Sequence, residues 1–202
     1  MQLLPWTLLT ELMPIATHCL VMSATPGPNN VMLATSGANF GYRGTLPAIL
    51  RIQSGVFTQT ILTCLGLGSV FVTYPKLQDI LRIAGATYLL YLAWKLSGAS
   101  VAEGQGIKQV SFSEAVIFQA LNPKSWVKAV TLASVFMPSG FGTLTGAILV
   151  AVIGALVGMP CSVMWALFGV SIRSLLRDPF KRRIFNLSMA ATLMMLALLF
   201  LR

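Results

Sequence analysis

Apolar residues dominate six long stretches of the chain, and short clusters of glycine, proline and charged residues separate one stretch from the next. Each stretch contains roughly 20 or more mostly apolar residues, which as a helix would cross the ~30 Å hydrocarbon core of a bilayer. The predicted spans cover about residues 14–38, 45–71, 77–96, 112–136, 144–170 and 184–201. This pattern predicts an all-α polytopic membrane protein with about six transmembrane helices.

Proline interrupts the first and the fourth of these spans. The first contains the run ATPGPNN at residues 24–30, and the fourth contains LNPKSW at 121–126. Proline lacks a backbone N–H and clashes with the preceding turn, so a helix breaks at each run. Within a bilayer, broken backbone is tolerated only where it is buried in protein or lines a cavity. The two breaks therefore predict the working centre of a small membrane transporter, and the first break leaves five or seven spans as alternative counts.

The composition leaves no room for a separate soluble domain. Of the 202 residues, 56% are hydrophobic and only 9% are charged, whereas soluble domains carry about 25% charged residues. The mean hydropathy is +0.80. We therefore predict one transmembrane domain over residues 1–202, in contact with the lipid bilayer. No basic residue precedes Arg43, so a cleavable signal peptide is not predicted.

The net charge of +9 has a topological explanation, so nucleic acid is not predicted as a partner. With six spans, the loops after spans one, three and five share one side of the membrane. That side carries most of the basic residues, namely Arg43, Lys95, Lys108, Arg173, Arg177, Lys181, Arg182 and Arg183. The other side carries Lys76, Arg82 and Arg202. The positive-inside rule places the richer side in the cytoplasm and both termini outside, in the periplasm of a bacterial inner membrane.

The chain also contains a weak internal repeat. Pro26 and Pro123 are 97 residues apart, and each follows a residue that caps helices, Thr25 or Asn122. The first repeat covers about 14–96, a polar loop covers 97–110, and the second repeat covers 111–202, starting with a capping box at 111–114. Three spans in each half make the second repeat inverted relative to the first. Paired interruptions in two inverted halves are typical of a transport site.

A half-helix that begins inside the membrane directs free N–H groups and a positive dipole end at its surroundings, which favours a negative group such as a substrate carboxylate. Asn29, Asn30 and Asn122 add side-chain donors and acceptors at the two breaks. Lys124 follows the second break, and a charged residue within a span usually faces a cavity or a partner. The alternative is that each proline run is a kink used only for packing.

Three further polar residues are candidates for the substrate pathway: Arg51, Gln53 and Lys128. Both cations have an alternative role, because a long basic side chain can extend to the membrane surface. The single histidine, His18, could carry a coupling proton, but a lone histidine in an apolar stretch is more often a packed residue.

The cysteines suggest a different class of function. Cys64 and Cys161 are also 97 residues apart, so an intramembrane thiol redox protein is the main alternative, against the simpler role of small apolar filler. No metal-ligand spacing, cofactor motif or nucleophile with a matching base is present in the sequence, so an enzyme is not predicted. A membrane scaffold without transport activity is the third hypothesis.

The motifs resemble those of a known family. The runs TPGPNN at 25–30, SGANFGYR at 36–43 and TLP at 45–47 resemble the start of the LysE/RhtB family of amino-acid exporters, and YLLYLAWK at 88–95 and LNPKSW at 121–126 resemble its later motifs. The resemblance implies a six-span inner-membrane exporter of amino acids or close derivatives, driven by proton antiport or exchange. The site residues that it carries over are Pro26, Gly27, Pro28, Asn29, Asn30, Asn122, Pro123 and Lys124.

This chain departs from the family at one place, where Arg51 and its neighbours Gln53 and Ser54 stand in positions that are commonly small or apolar. The leading hypothesis is therefore amino-acid efflux, with substrate bound between broken helices 1 and 4 and in contact with residues 25–30 and 122–124. The sequence leaves open the identity of the amino acid, the coupling ion and whether the protein is a homo-oligomer.

Overall fold

The computed structural model describes residues 5–97, 112–138 and 140–201, and this part of the chain is built from α-helices with short connections. The α-helices are α1 (Pro5–Ala24), α2 (Pro28–Leu62), α3 (Gly68–Thr73), α4 (Pro75–Ser97), α5 (Phe112–Leu121), α6 (Pro123–Val135), α7 (Thr143–Ser171) and α8 (Pro179–Leu201). A π-helical turn, Thr63–Leu67, joins α2 to α3, and a short 3-10 turn, Leu175–Arg177, precedes α8.

The first break separates α1 from α2, but it lies two residues later than the sequence pattern predicted. Helix α2 begins at Pro28, and the residue before it, Gly27, has an extended backbone with no side-chain cap. The expectation that Thr25 caps a helix starting at Pro26 is therefore wrong. Instead, the Thr25 hydroxyl donates to the carbonyl of Val21, 2.7 Å away, and so belongs to the end of α1.

The second break follows the prediction. Asn122 has extended backbone and its side-chain oxygen accepts from the N–H of Lys124 at 3.2 Å, with Pro123 in the first turn of α6. An asparagine cap and a proline at the first position are the strongest local signals for a helix start. The interruption predicted in the fourth span is thus confirmed as the junction of α5 and α6.

Helix α2 is a hairpin of two arms, because the chain reverses at Gly41. Gly41 has φ +72°, a left-handed conformation that glycine adopts without steric cost. Residues from both arms, Asn30 and Ile52, line the same cavity, whereas 22 residues of straight helix would separate them by about 33 Å. The turn predicted at 39–44 is therefore confirmed, although it is compressed into one non-helical residue.

Two predicted boundaries differ from the structure. Pro14 lies inside α1 instead of starting the first span. Helix α8 begins at Pro179, five residues before the predicted start, because the Asp178 carboxylate accepts from the N–H of Phe180 at 2.8 Å and caps the helix. Part of the predicted basic loop at 173–183 is consequently helical. Ser111, the capping residue of the box predicted at 111–114, and the loop at 98–110 lie outside the residues that the structure describes.

The most extensive helix packing pairs α2 with α7 and α4 with α8. At the first pair, the helices approach so closely that a Cβ on Gly37 would collide with the carbonyl oxygen of Ala166, and one on Gly169 with that of Ala34. Small residues at such crossings are typical of helices that associate within membranes. A cluster of α4 and α8 side chains, centred on Leu89 and Leu193, joins the second pair.

Large apolar side chains cover the outer surface. Leu156 is 70% exposed and Met164 is 62% exposed, both on α7. An apolar surface of this kind suits contact with lipid, not water. By length and composition, two of the described helices, Thr143–Ser171 and Pro179–Leu201, could each cross a membrane alone. The other described helices do not meet these criteria individually, so the count of six spans stays a prediction.

Candidate functional site

A polar cavity lies between the two breaks and holds the candidate site. Its volume is about 50 Å³, which is enough for ordered water. Its walls come from the end of α1, both arms of α2, the second break and α7. The lining residues are Met22, Ser23, Gly27, Pro28, Asn29, Asn30, Ile52, Gln53, Val56, Asn122, Lys124, Ser125, Lys128 and Ser162.

Lys124 ties the second break to the first. Its ammonium donates to the Thr25 carbonyl at 2.8 Å, to the Thr25 hydroxyl at 2.8 Å and to the Pro26 carbonyl at 3.0 Å. A lysine ammonium has three donors, so these three acceptors use its whole capacity. The contact needs a glycine at position 27, because a Cβ there would lie 2.9 Å from Cδ of Lys124.

Asn30 completes the end of α1. Its side-chain amide donates to the carbonyls of Ser23 and Thr25, each 2.8 Å away. The last carbonyls of a helix have no partner within the helix, and a side chain from the next helix supplies one here. The broken backbone of the first span is therefore satisfied on its carbonyl side by Asn30 and Lys124.

Lys128 lies one turn beyond Lys124 and is nearly inaccessible, with 7% of its surface exposed. Its ammonium donates to the hydroxyl of Ser23 at 3.2 Å. Among the described residues the one ion pair joins Arg82 to Asp79, so no described carboxylate neutralises Lys128. A buried cation without a counter-ion is costly within a membrane and is typical of a functional site.

Four side-chain amides form a hydrogen-bonded chain beside the cavity. Asn122 donates to Asn29 at 3.1 Å, Asn29 donates to Gln119 at 3.4 Å, and Gln119 donates to Gln59 at 2.6 Å. The chain joins both breaks to the second arm of α2. It gives Asn29 and Asn122 partners without using a charged group.

Gln53 faces the cavity from the second arm of α2 and is 8% exposed. Its Nε2 donates to the hydroxyl of Ser162 on α7 at 2.6 Å, while its Oε1 is buried without a partner in the described structure. Gly158 makes room for this amide, because a Cβ there would lie 3.1 Å from Oε1. The cavity wall thus contains a free acceptor at Gln53 and a cation at Lys128.

The structure brings together most of the predicted site residues. Gly27, Pro28, Asn29, Asn30, Asn122 and Lys124 line the cavity, together with two of the predicted pathway residues, Gln53 and Lys128. Thr25 and Pro26 contact the cavity indirectly through Lys124. Pro123 and Arg51 are not among the lining residues, and the role predicted for Arg51 stays a prediction.

Sequence reasoning missed Gln119, Ser23 and Ser162. Gln119 precedes Asn122 by three residues, which places the two on one helical face, so its spacing from the second break was an available signal. Ser23 immediately precedes the first break in the sequence. Ser162 had no sequence signal, because only the crossing of α7 with α2 brings it to Gln53.

Cysteine and histidine side chains lie around this site. Cys19, Cys64 and Cys161 are free thiols, and Cys19 and Cys64 pack in an apolar cluster with Ile15, Leu132 and Val150. The ring of His18 packs against Phe136, with centroids 5.2 Å apart. Within the described residues, no group of three His, Cys, Asp or Glu side chains could hold a metal ion.

The apolar exterior, the broken helices and the polar cavity between the breaks define an all-helical membrane protein with a polar site, within the residues that the structure describes. The chain belongs to the LysE type translocator family, whose model matches residues 20–202. It is therefore a multi-pass inner-membrane transporter of the amino-acid efflux class and not an enzyme. No solved structure matches the chain significantly.

Among curated proteins, this chain is similar to the cysteine/O-acetylserine efflux proteins of Escherichia coli strain K12, Shigella flexneri serotype 5b and Shigella sonnei. Each is 32% identical to it over 164 residues, which cover 80% of this chain and 84% of the relative. The matched relatives therefore have nearly the same extent as this protein.

Proposed function

We propose that this protein exports a small neutral amino acid or a close derivative from the cytoplasm, and that the substrate binds in the cavity between the two breaks. Cysteine and O-acetylserine are the first candidates, because the relatives are named for their efflux. The observation that carries the proposal is the convergence of both breaks on one polar cavity lined by the buried cation Lys128.

Six spans arranged as two inverted three-span repeats, about 14–96 and 111–202, account for the packing. In that arrangement α2 and α7 contain the second span of each half, and α4 and α8 the third. These are the two most extensive helix pairs, and the broken first spans meet through Lys124. The first arm of α2, which contains the end of the first span, also packs closely on α7, and contact between helices of the two halves supports the proposed inverted repeats.

The proposed orientation places the basic loops in the cytoplasm and both termini outside. It requires the turn at Gly41 and the basic segment after α7 to lie on one side of the membrane. The Arg173 guanidinium lies 3.6 Å from where a Cβ on Gly41 would project, which supports a common side for these two connections.

Transport would proceed by alternating access, in which one half rocks against the other around the cavity. The bonds from Lys124 to Thr25 and Pro26 join the halves and would have to part as the cavity opens. Proton antiport and substrate exchange are the two coupling modes that we propose to compare.

The deciding experiment measures efflux of preloaded cysteine, O-acetylserine and a panel of other amino acids from proteoliposomes containing the purified protein. We expect efflux of at least one of them, and a reduced rate for Asn122→Ala with unchanged protein yield. Folded protein that exports none of the panel would contradict transport and favour a scaffold. Normal export by Asn122→Ala would contradict the assigned site.

A further inference from the structure

The cavity wall contains two polar side chains with unused hydrogen-bonding capacity. One is a cationic donor and the other is a neutral acceptor. The Lys128 ammonium donates one hydrogen bond to the Ser23 hydroxyl and has two further N–H donors. Gln53 Oε1 is an acceptor without a partner in the described structure. Both side chains are more than nine-tenths buried, at 7% and 8% exposure, so neither unused group is satisfied by bulk water.

The start of α2 adds to the positive end of the cavity. Gly27, Pro28, Asn29 and Asn30 all line the cavity, and no side chain caps this helix start. The first N–H groups of a helix lack partners within the helix and carry the positive end of the dipole. The start of α6 differs, because Asn122 caps it.

Lys124 is the obvious alternative anchor for an anion, but its contacts argue against that role. Its three donors are directed at Thr25 and Pro26, so an anion would have to displace bonds that hold the two breaks together. Lys128 can accept an anion without losing any contact between the breaks.

We propose that the cavity recognises the zwitterionic α-carbon head of a free amino acid, a conclusion that rests on the proposed function and names the chemistry of its site. Lys128 and the uncapped start of α2 bind the α-carboxylate, and Gln53 Oε1 accepts a hydrogen bond from the α-ammonium. The side chain of the substrate is left to the apolar lining residues, Met22, Ile52 and Val56.

This assignment gives each unused group a partner. A carboxylate beside Lys128 supplies the counter-ion that no described residue provides, and charge-assisted bonds are the stronger class. It also explains why Gly158 lies against the amide of Gln53, because a larger residue there would press Oε1 out of position.

Two isomers test the ammonium contact. O-acetyl-L-serine has a free α-ammonium, whereas its isomer N-acetyl-L-serine keeps the carboxylate, has a neutral amide in place of the ammonium and a hydroxyl in place of the ester, so Gln53→Met separates the ammonium contact from the change of side chain. In proteoliposomes that exchange labelled O-acetyl-L-serine, we expect N-acetyl-L-serine to compete at least about tenfold more weakly than unlabelled O-acetyl-L-serine. Gln53→Met should weaken O-acetyl-L-serine binding and remove most of this discrimination.

An ester tests the carboxylate contact in the same assay. L-serine methyl ester keeps the ammonium and lacks the carboxylate, so L-serine should compete better than its ester in the wild type. Lys128→Met should lower the affinity for L-serine towards that of the ester. The control variants Lys95→Met and Gln78→Met change exposed residues of α4. They should still favour O-acetyl-L-serine over N-acetyl-L-serine and L-serine over its methyl ester.

Thermal unfolding without substrate supplies a readout that does not depend on transport. Because Lys128 is a buried cation without a described counter-ion, Lys128→Met should raise the unfolding midpoint of the purified protein.

A lowered midpoint, or equal competition by both isomers, would overturn the zwitterion site. Wild-type protein that transports the panel without discriminating the isomers contradicts only this inference. Wild-type protein that transports nothing contradicts the proposed function, and the midpoint of Lys128→Met then still decides the role of Lys128.

Discussion

The ammonium of Lys124 lies 2.8 Å from both the carbonyl oxygen and the hydroxyl oxygen of Thr25, a residue 99 positions away in the chain, and it links the two helix breaks. A cation at the carbonyl end of α1 also complements the negative end of that helix dipole. The lysine that the sequence predicted to contact the substrate instead uses its donors to join the two breaks.

Replacing Lys124 with methionine should destabilise the protein, because the Thr25 and Pro26 carbonyls lose their charged donor. We expect the free energy of unfolding to fall by about 1.5–3 kcal/mol, the range for hydrogen bonds to charged groups. Denaturant unfolding in detergent measures the change, with Lys95→Met as the exposed control. An unfolding curve identical to wild type would mean that the link contributes nothing to stability.

Gly27→Ala should disturb the same link from the opposite side. The added Cβ would lie 2.9 Å from Cδ and 3.1 Å from Nζ of Lys124, and overpacking of this kind costs about 1–3 kcal/mol. The test is a double-mutant cycle, because in a Lys124→Ala background the colliding atoms are gone and Gly27→Ala should cost much less. Additive effects in the cycle would show that the two positions do not interact.

The crossing of α2 and α7 should not accept a methyl group. In Gly169→Ala the new Cβ would collide with the carbonyl of Ala34, and backbone cannot move aside as a flexible side chain can. We expect the free energy of unfolding of Gly169→Ala to fall by about 1–3 kcal/mol or more. Gly154→Ala on the same helix is the matched control, since its Cβ would meet Cys19 Sγ at an ordinary 3.7 Å. Equal stability of the two variants would contradict the close crossing.

Gln119→Met should interrupt the amide chain and leave Asn29 and Gln59 each without one partner. An unsatisfied buried polar group costs about 1–3 kcal/mol, so we expect a lower unfolding midpoint and slower export. Replacing Gln59 with methionine as well removes one of the orphaned groups. The double variant should therefore be more stable than the sum of the two single changes predicts, and simple additivity would argue against the chain.

A variant with Cys19, Cys64 and Cys161 all changed to alanine should keep exporting the wild-type substrate. The three are free thiols, and two of them pack against apolar side chains, so we expect them to act as small apolar filler. Export is measured in the proteoliposome assay, with yield and unfolding midpoint checked first. Loss of export by folded protein would revive the thiol redox hypothesis.

Local chemistry decided which features could be predicted from the sequence. The second break was predictable because Asn122 and Pro123 are themselves the cap and the first turn. The first break was placed two residues early, because Thr25-Pro26 has the same local signature as a helix start, whereas in the structure Thr25 bonds back to Val21 and its carbonyl accepts from Asn30 and Lys124. A neighbour 99 positions away has no signal in a local pattern.

The site was predictable in part for the same reason. Asparagines at the breaks indicated a polar centre, and Gln53 and Lys128 stood out as polar residues within apolar spans. The sequence could not predict that Lys124 joins the two breaks while Lys128 faces the cavity with donors to spare, because both lysines lie on one helix one turn apart. Their partners Thr25 and Ser23 come from another helix.

The amide chain beside the cavity has a direction. Each bond in it is donated the same way, from Asn122 to Asn29, then to Gln119 and then to Gln59. Asn122 directs its Nδ2 into the chain because its Oδ1 faces the N–H of Lys124 and accepts from it. The cap of α6 therefore sets the orientation of all four amides. Turning the Asn122 amide over would place its Nδ2 against the N–H of Lys124 and its Oδ1 against the oxygen of Asn29, so the cap and the chain together hold this amide in one orientation and link the start of α6 to the second arm of α2.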